Sequence, residues 1–276
     1  MKKSTKILMG LAMCATIGLT GLAVGCGTDK KSESEDVYIQ PGQIEISAEM
    51  AEGLYSQAFL NSMSQESMSY RQSLKSWGKA TNQVSQITEG YVKNKDSESP
   101  VFYKKVNNSM TGVSEQWIMS EVSSGGHPSY IKLKINKDGE KQKTSYSYTE
   151  DAKYYALGCG LTLGYGQGEY DLGDGLTLAL DTTYQKVVSG VIDNDTTKIV
   201  ISFKYEIKSE DSATMTVDGR HIVTIRDGFI MGCDSAMIMH TDEQRVGTTI
   251  QGSLNLTYGA MANIPALPNV SEFVQA

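Results

Sequence analysis

The chain has few of the residues from which catalytic and metal centres are built. It contains four cysteines and three histidines in 276 residues. The histidines, His127, His221 and His240, form no H-x-x-H or H-E-x-x-H pair, and there is no C-x-x-C. The spacings of common zinc sites are therefore missing, and no serine stands in a G-x-S-x-G nucleophile elbow. The sequence predicts no metal site, no cofactor and no enzymatic activity.

Nucleotide-binding loops are missing as well, although glycine is locally dense. The stretch Gly158–Gly175 reads GCGLTLGYGQGEYDLGDG, which is typical of an exposed loop, a lid or bulged strands. It contains neither G-x-G-x-x-G nor G-x-x-x-x-G-K-[ST]. Three acidic residues in and after this stretch do not have the EF-hand spacing and are interpreted as structural: Asp171, Asp174 and Asp181.

Long apolar runs are confined to the beginning of the chain. Residues 7–24 carry no charge and follow three lysines, Lys2, Lys3 and Lys6. A basic start, an apolar run and small residues before a cleavage site predict a signal peptide over residues 1–25. A transmembrane helix is the alternative, but it needs about 20 apolar residues. This run is slightly shorter and is interrupted by three glycines, Gly10, Gly18 and Gly21.

The end of the apolar run resembles a bacterial lipobox. The residues that carry this resemblance are Ala23-Val24-Gly25-Cys26. The resemblance implies cleavage before Cys26 and attachment of diacylglycerol, and hence of palmitate-type acyl chains, to its sulfur. Two acyl chains suffice for stable anchoring. The sequence thus predicts a lipoprotein on the outer, extracytoplasmic face of the cell membrane, held there through the lipid on Cys26.

The charge of the predicted mature chain excludes some partners. The signal segment contains three of the 25 basic residues and none of the 32 acidic residues, so the rest has a net charge of −10. Such an acidic chain is not expected to bind nucleic acid or anionic headgroups. Residues 26–40 are polar after the cysteine and predict a flexible tether, and residues 41–276 predict one domain.

Periodicity predicts an α+β fold in this domain. Ser47 is a candidate N-cap for a helix with an apolar stripe at three- and four-residue steps, formed by Met50, Ala51, Leu54, Tyr55, Ala58, Phe59 and Met63. Residues 65–91 fit a helix or strands, and strands are favoured. Beyond Pro100, period-two alternation predicts long strands, with Asp138-Gly139 and Asp227-Gly228 as hairpin turns. Residues 263–268 (NIPALP) are expected to end the sheet.

The order of these elements is similar to the carrier-like fold of LolA and the related secreted lipoproteins of Gram-positive bacteria. The stretches that carry the resemblance are Glu89–Val92, Pro100–Tyr103, Trp117-Ile118, the turn at Asp227-Gly228 and Ile264–Val270. The resemblance implies a curved antiparallel sheet, a half-barrel, closed by helices over an apolar cavity for lipid or lipoprotein. The glycine-rich stretch departs from that family. No binding residue is transferred individually.

Two functional hypotheses follow. In the first, the concave face of the sheet binds a hydrophobic ligand such as a lipid, lined by Met63, Phe203, Tyr205, Leu254, Leu256 and Tyr258. The same side chains can instead fill a dry core, since both arrangements need inward apolar residues. In the second, the chain is a structural or interaction lipoprotein that binds another envelope protein and has no small-molecule ligand.

The two remaining cysteines, Cys159 and Cys233, have two alternative states. An oxidising export compartment permits a disulfide between them, which would add about 4 kcal/mol in the chain-entropy model. Two separate thiols are the other reading. A nucleophilic Cys159 with His221 or His240 would need an activating environment, and the local sequence shows none.

Overall fold

The computed structural model describes residues 39–78, 81–94, 101–122, 128–147, 168–173, 176–180, 185–209, 214–241, 248–259 and 265–275. The described chain is mostly β-structure with one α-helix and a single large, curved sheet that does not close. The α+β half-barrel prediction is confirmed. Residues 1–38, and with them the predicted signal peptide, Cys26 and most of the tether, lie outside the described residues.

The helix α1 (Ala48–Met63) starts where the sequence predicts. Ser47 is its N-cap, and the Ser47 hydroxyl accepts a hydrogen bond from the Met50 N–H at 3.2 Å. The buried stripe is narrower than predicted, because Ala51 and Ala58 are buried while Met50 and Leu54 are 51% and 36% exposed. Residues 51, 55 and 58 lie on the side of the helix that faces the sheet. Residues 50 and 54 point about 100° away from that side, which explains their exposure.

The described strands follow the predicted alternation. They are β1 (Ile44–Ile46), β2 (Met68–Gly78), β3 (Thr81–Lys93), β4 (Val101–Asn108), β5 (Gly112–Val122), β6 (Pro128–Ile135), β7 (Lys141–Ser147), β8 (Gly168–Gly173), β9 (Leu176–Leu180), β10 (Gln185–Asp193), β11 (Thr196–Ser209), β12 (Thr214–Arg226), β13 (Phe229–Thr241), β14 (Thr248–Tyr258) and β15 (Val274–Gln275). Strands are therefore the correct reading of residues 68–93.

The order across the sheet is β1-β10-β11-β12-β13-β14-β2-β3-β4-β5-β6-β7-β15. Neighbours are antiparallel except β15, which runs parallel to β7. The β8–β9 hairpin joins the second half of β11, beyond the part that pairs with β10. Within the described residues both ends of this order are very short strands, β1 and β15, which limits the edge that another chain could extend.

The two Asp-Gly turns form as predicted. Asp227 and Gly228 both have positive φ, 52° and 76°, which suits the tight turn between β12 and β13. Gly139, with φ 81°, lies in the turn between β6 and β7. These local signals set where neighbouring strands reverse direction.

The inner face of the sheet is the face against which α1 packs. Apolar residues from α1, β1–β4 and β11–β14 form one buried cluster on it, here called the helix-covered core: Ile46, Ala51, Ala58, Met68, Tyr70, Val92, Phe102, Ile199, Ile201, Val223, Ile225, Ile230, Cys233, Leu254 and Leu256. A Cβ placed on Gly190 of β10 would lie 3.0 Å from the Ala51 Cβ. The helix therefore sits close to the sheet through small residues.

The outer face has a smaller core of its own. Tyr103 and Trp117 are the sequence neighbours of the inward Phe102 and Ile118, and they pack with Ile131, Leu133 and Phe273 on the opposite side. Phe273 belongs to the C-terminal segment, whose Glu272 also forms an ion pair with Lys141. The expectation that NIPALP ends the sheet was wrong, since the chain continues past Pro268, covers the outer face and adds β15.

The far end of α1 is tied to a bulge in β13. The register with β12 shifts between Thr224 and Ile225. Nearby, the Ile230 N–H donates to the buried Ser62 hydroxyl at 2.9 Å, and the Ile230 carbonyl accepts from the Tyr258 hydroxyl. Side chains from the helix and from β14 thus satisfy both backbone polar groups of Ile230. Within the described residues, no helix is long and apolar enough to span a bilayer.

Replacing Ser62 with alanine should destabilise the protein by about 1–3 kcal/mol, because the buried Ile230 N–H loses its acceptor. Ser56→Ala is the matched control, since Ser56 is an exposed residue of the same helix and alanine there should stabilise by a few tenths of a kcal/mol, about the propensity difference. Urea unfolding monitored by circular dichroism measures both. Equal effects of the two substitutions would contradict the role assigned to Ser62.

Candidate functional site

The inner face is the candidate functional site because it brings together most of the residues predicted to bind a ligand. Side chains two apart in a strand share a face, and the register carries this across the sheet. Phe203 and Tyr205 of β11 therefore face the same side as Leu254, Leu256 and Tyr258 of β14. All except Tyr258 are at most 6% exposed, and Tyr258 is partly buried.

The β14 members of this set lie under the helix. Leu254 and Leu256 belong to the helix-covered core, and Tyr258 packs against it. The Tyr258 hydroxyl is engaged by the Ile230 carbonyl, and its ring lies 5.4 Å from the Phe229 ring. These residues have a structural role in joining helix and sheet. Their role as ligand contacts stays a prediction.

The β11 members lie in a second group, here called the distal group. Phe203 and Tyr205 stack with ring centroids 5.8 Å apart and an interplanar angle of 17°. By register their inner-face neighbours on β12 and β13 complete the group: Met215, Val217, Met237 and Met239. All six are buried and none belongs to the helix-covered core. Three methionines and a stacked aromatic pair make this an apolar lining whose flexible side chains can adapt in shape.

Buried polar residues lie between the apolar residues of the inner face. Gln86 accepts a hydrogen bond from the Asn108 amide at 3.0 Å and donates one to the Thr88 hydroxyl at 3.3 Å. Gln72 on the adjacent strand is 4% exposed, and its Nε2 has no hydrogen-bond partner among the described residues. Buried polar atoms are nearly always hydrogen-bonded, so the amide of Gln72 is an exception that needs an explanation.

His221 and Cys233 form a buried pair at the border of the two groups. The Cys233 Sγ lies 3.9 Å from His221 Nδ1, and the Phe203 ring stacks on the imidazole at 4.3 Å. Burial lowers the pKa of His221 to about 3. Burial, and then the charge of Asp234, raises the pKa of the Cys233 thiol to about 12. Both groups are neutral at pH 7, so this pair lacks the thiolate on which a cysteine nucleophile depends.

Several residues that the sequence analysis considered lie outside what the structure describes. Cys26, Cys159 and His127 fall on residues that are not described, and so do Asp174 and Asp181. Cys233 is buried and has no disulfide partner among the described residues. A disulfide with Cys159 and two separate thiols therefore remain the two alternatives.

For Met63 and Asp171 the structure describes the backbone but not the side chain. The described part of the Gly158–Gly175 stretch forms β8, which has a register irregularity after Asp171. Among the described residues no three His, Cys, Asp or Glu side chains come together as metal ligands.

The polar residues of the inner face were missed as site residues from the sequence. They could have been recognised as polar residues at positions of a strand that alternation otherwise assigns to apolar residues. Gln72 stands between Tyr70 and Leu74, and His221 alternates with Val217 and Val223. His240, in contrast, lies on the outer face, where its Nε2 is 3.0 Å from Asp218 Oδ2.

Acid should weaken the fold through His221. Below its ordinary pKa of 6.5 the unfolded chain takes up a proton on this side chain, whereas the folded chain does not until about pH 3. Stability therefore falls as the pH drops through this window, by at most about 1.4 kcal/mol per pH unit for one group. Urea unfolding at pH 7.5, 6 and 5 should show a flatter pH dependence for His221→Gln.

His240→Gln is the control, because this variant keeps His221 and should retain the wild-type loss of stability in acid. If His221→Gln and the wild type lose stability equally between pH 7.5 and 5, His221 does not carry the effect.

Comparison with known proteins adds little to this site. No protein-family model matches the chain, and no curated protein matches it. Among solved structures the chain is similar to a DUF1329 family protein from Desulfovibrio piger, with 11% sequence identity and a TM-score of 0.28. The match covers 75% of this chain and 92% of that one. The likeness is distant, and nothing about the function of this chain follows from it.

Proposed function

We propose that the chain is a lipid-anchored, extracytoplasmic lipoprotein that binds a hydrophobic ligand, with lipid as the first class to test, on the inner face of its curved sheet. The observation that carries this proposal is the distal group. Phe203, Tyr205 and four neighbours are buried apolar residues of the inner face that are not part of the core under α1. Because the distal group lies outside the helix-covered core, a ligand there is not expected to displace the helix.

The chemistry of the distal group supports an apolar ligand of variable shape. Ligand sites are mostly apolar with a few placed polar groups, and here His221 and Gln72 are buried polar residues on the same face. Methionine side chains rearrange at low cost, which suits flexible hydrocarbon chains. In contrast to a dedicated rigid pocket, this lining would accept a class of molecules and not one compound.

A second candidate function is a structural or interaction lipoprotein. Three exposed apolar residues favour it: Ile87 and Val113 lie on either side of Asn107 on the outer face, and Met110 follows in the next turn. In this function the inner face is a filled core, and the partner is another envelope protein that contacts the outer face.

Lipid anchoring through Cys26 is tested by replacing it with alanine. In a Gram-positive host grown with labelled palmitate, the wild-type chain should carry label and sediment with membranes, whereas Cys26→Ala should carry no label. Cys14→Ala, in the same apolar run, is the matched control and should be labelled like the wild type. An unlabelled wild-type chain would remove the anchor from the proposal.

Ligand binding is tested by native mass spectrometry of the chain purified from a lipid-containing host, followed by solvent extraction. The wild type should retain a small hydrophobic molecule in stoichiometric amount. Met239→Ala, on the inner face, should weaken retention about tenfold, since a methionine contact is worth roughly 1.5 kcal/mol or more. Ile238→Ala changes the next residue of the same strand, which is 47% exposed on the outer face, and should leave retention unchanged.

An unliganded wild-type mass that stays unliganded after incubation with lipid vesicles would overturn the ligand-binding function. The interaction function would then be tested by crosslinking in the intact envelope, with Ile87→Ser and Val113→Ser as variants expected to reduce crosslinking.

A further inference from the structure

The unpaired amide of Gln72 is the most unusual polar group on the inner face. The side chain is 4% exposed, and its Nε2 lies among the described residues without a hydrogen-bond acceptor. Burying a donor without a partner costs about 1–3 kcal/mol. A residue with this cost is better replaced by leucine or methionine, unless an acceptor from outside the described residues pairs with it.

Gln86 shows what a satisfied glutamine on this face looks like. It is 5% exposed and lies on the adjacent strand β3, on the same face. Both ends of its amide are used, by Asn108 and by Thr88. The amide of Gln86 is thus hydrogen-bonded at both ends on this face, whereas the Nε2 donor of Gln72 is not part of this network.

The surroundings of Gln72 are mostly apolar. Its partner across β14 is Leu254, and the inner-face residues on either side of it in its own strand are Tyr70 and Leu74. On the β3 side it faces Thr88, whose hydroxyl oxygen already accepts from Gln86. A trapped water needs two to four polar partners, and among these neighbours only Thr88 and Tyr70 carry a polar side-chain group. An oxygen carried by an apolar molecule fits these surroundings better.

We propose that Gln72 Nε2 donates a hydrogen bond to the carbonyl oxygen of a neutral acyl ester bound on the inner face. The inference rests on the proposed function and narrows its ligand class. An amide is a neutral donor, and a buried carboxylate would need a paired cation to offset its desolvation. The ligand class is therefore a neutral long-chain lipid with an oxygen acceptor, for which an acyl ester as in a glycerolipid is the form tested, and not an ionised fatty acid or a hydrocarbon.

The test compares two probes on the full chain purified from membranes in detergent. Methyl oleate carries the ester carbonyl, and 9-octadecene has a hydrocarbon chain of similar length without an acceptor. Native mass spectrometry at increasing probe concentration gives the affinity for each. The wild type should prefer methyl oleate by about fivefold or more, the effect of one buried hydrogen bond.

Gln72→Leu should lose this preference by binding methyl oleate at least about fivefold more weakly and octadecene as the wild type does. Without probe, Gln72→Leu should also raise the Tm, because the unpaired donor is gone. Gln86→Leu is the matched control: it should lower the Tm, because it breaks the Asn108–Gln86–Thr88 network, and it should keep the ester preference. Gln72→Met serves as a second variant if leucine does not fold there.

The outcomes separate the two proposals. If the wild type binds neither probe, the ligand-binding function fails. If the wild type binds both probes equally, or Gln72→Leu keeps the ester preference, the ligand-binding function stands and the role of Gln72 is overturned. A lower Tm for Gln72→Leu without probe also overturns it, since the amide then has a stabilising partner in the ligand-free protein.

Discussion

The structure depends on covering one apolar face of a long antiparallel sheet with a single helix. Ala51 and Ala58 let α1 approach the sheet closely, and Gly190 beneath Ala51 makes room for this contact. At its far end the helix is held by Ser62, which satisfies the backbone of the bulged strand β13. Because most stability of a protein helix comes from packing its buried side, helix and sheet stabilise each other.

The sheet has a hydrophobic core on each face, and a different segment of the chain covers each core. The inner face is covered by α1 over β10–β14, and the outer face is covered by the C-terminal segment at β4–β6. Elsewhere the outer face carries exposed charged residues, such as Lys198, Lys204 and Glu206 of β11. An antiparallel sheet can have one solvated face, so the outer face needs only a small cover.

Polar groups on the inner face distinguish it from a simple core. Gln86, Thr88 and Asn108 form a bonded network, His221 and Cys233 are kept neutral by burial, and Gln72 keeps an unpaired donor. Each costs free energy to bury unless it finds a partner. The bonded residues contribute to a unique arrangement of the sheet. We propose that the cost of the unpaired donor is offset when a bound ligand supplies an acceptor.

The sequence by itself determined the local structure: the helix after Ser47, the strands with alternating residues in β11, β12 and β14, and the turns at Asp138-Gly139 and Asp227-Gly228. It also placed Phe203 with Tyr205, and Leu254 with Leu256 and Tyr258, on one face of their own strands, because period-two alternation is a property of neighbouring residues. Only the tertiary structure decided that β14 lies beside β2, where Ser73 and Ser253 bond across 180 positions, and that the C-terminal segment returns as β15. It also decided which inward residues lie under the helix, and that Gln86 is bonded while Gln72 is not. These features arise from contacts between distant parts of the chain, whose pairing depends on the packing of the whole sheet and leaves no periodic signal in any one segment.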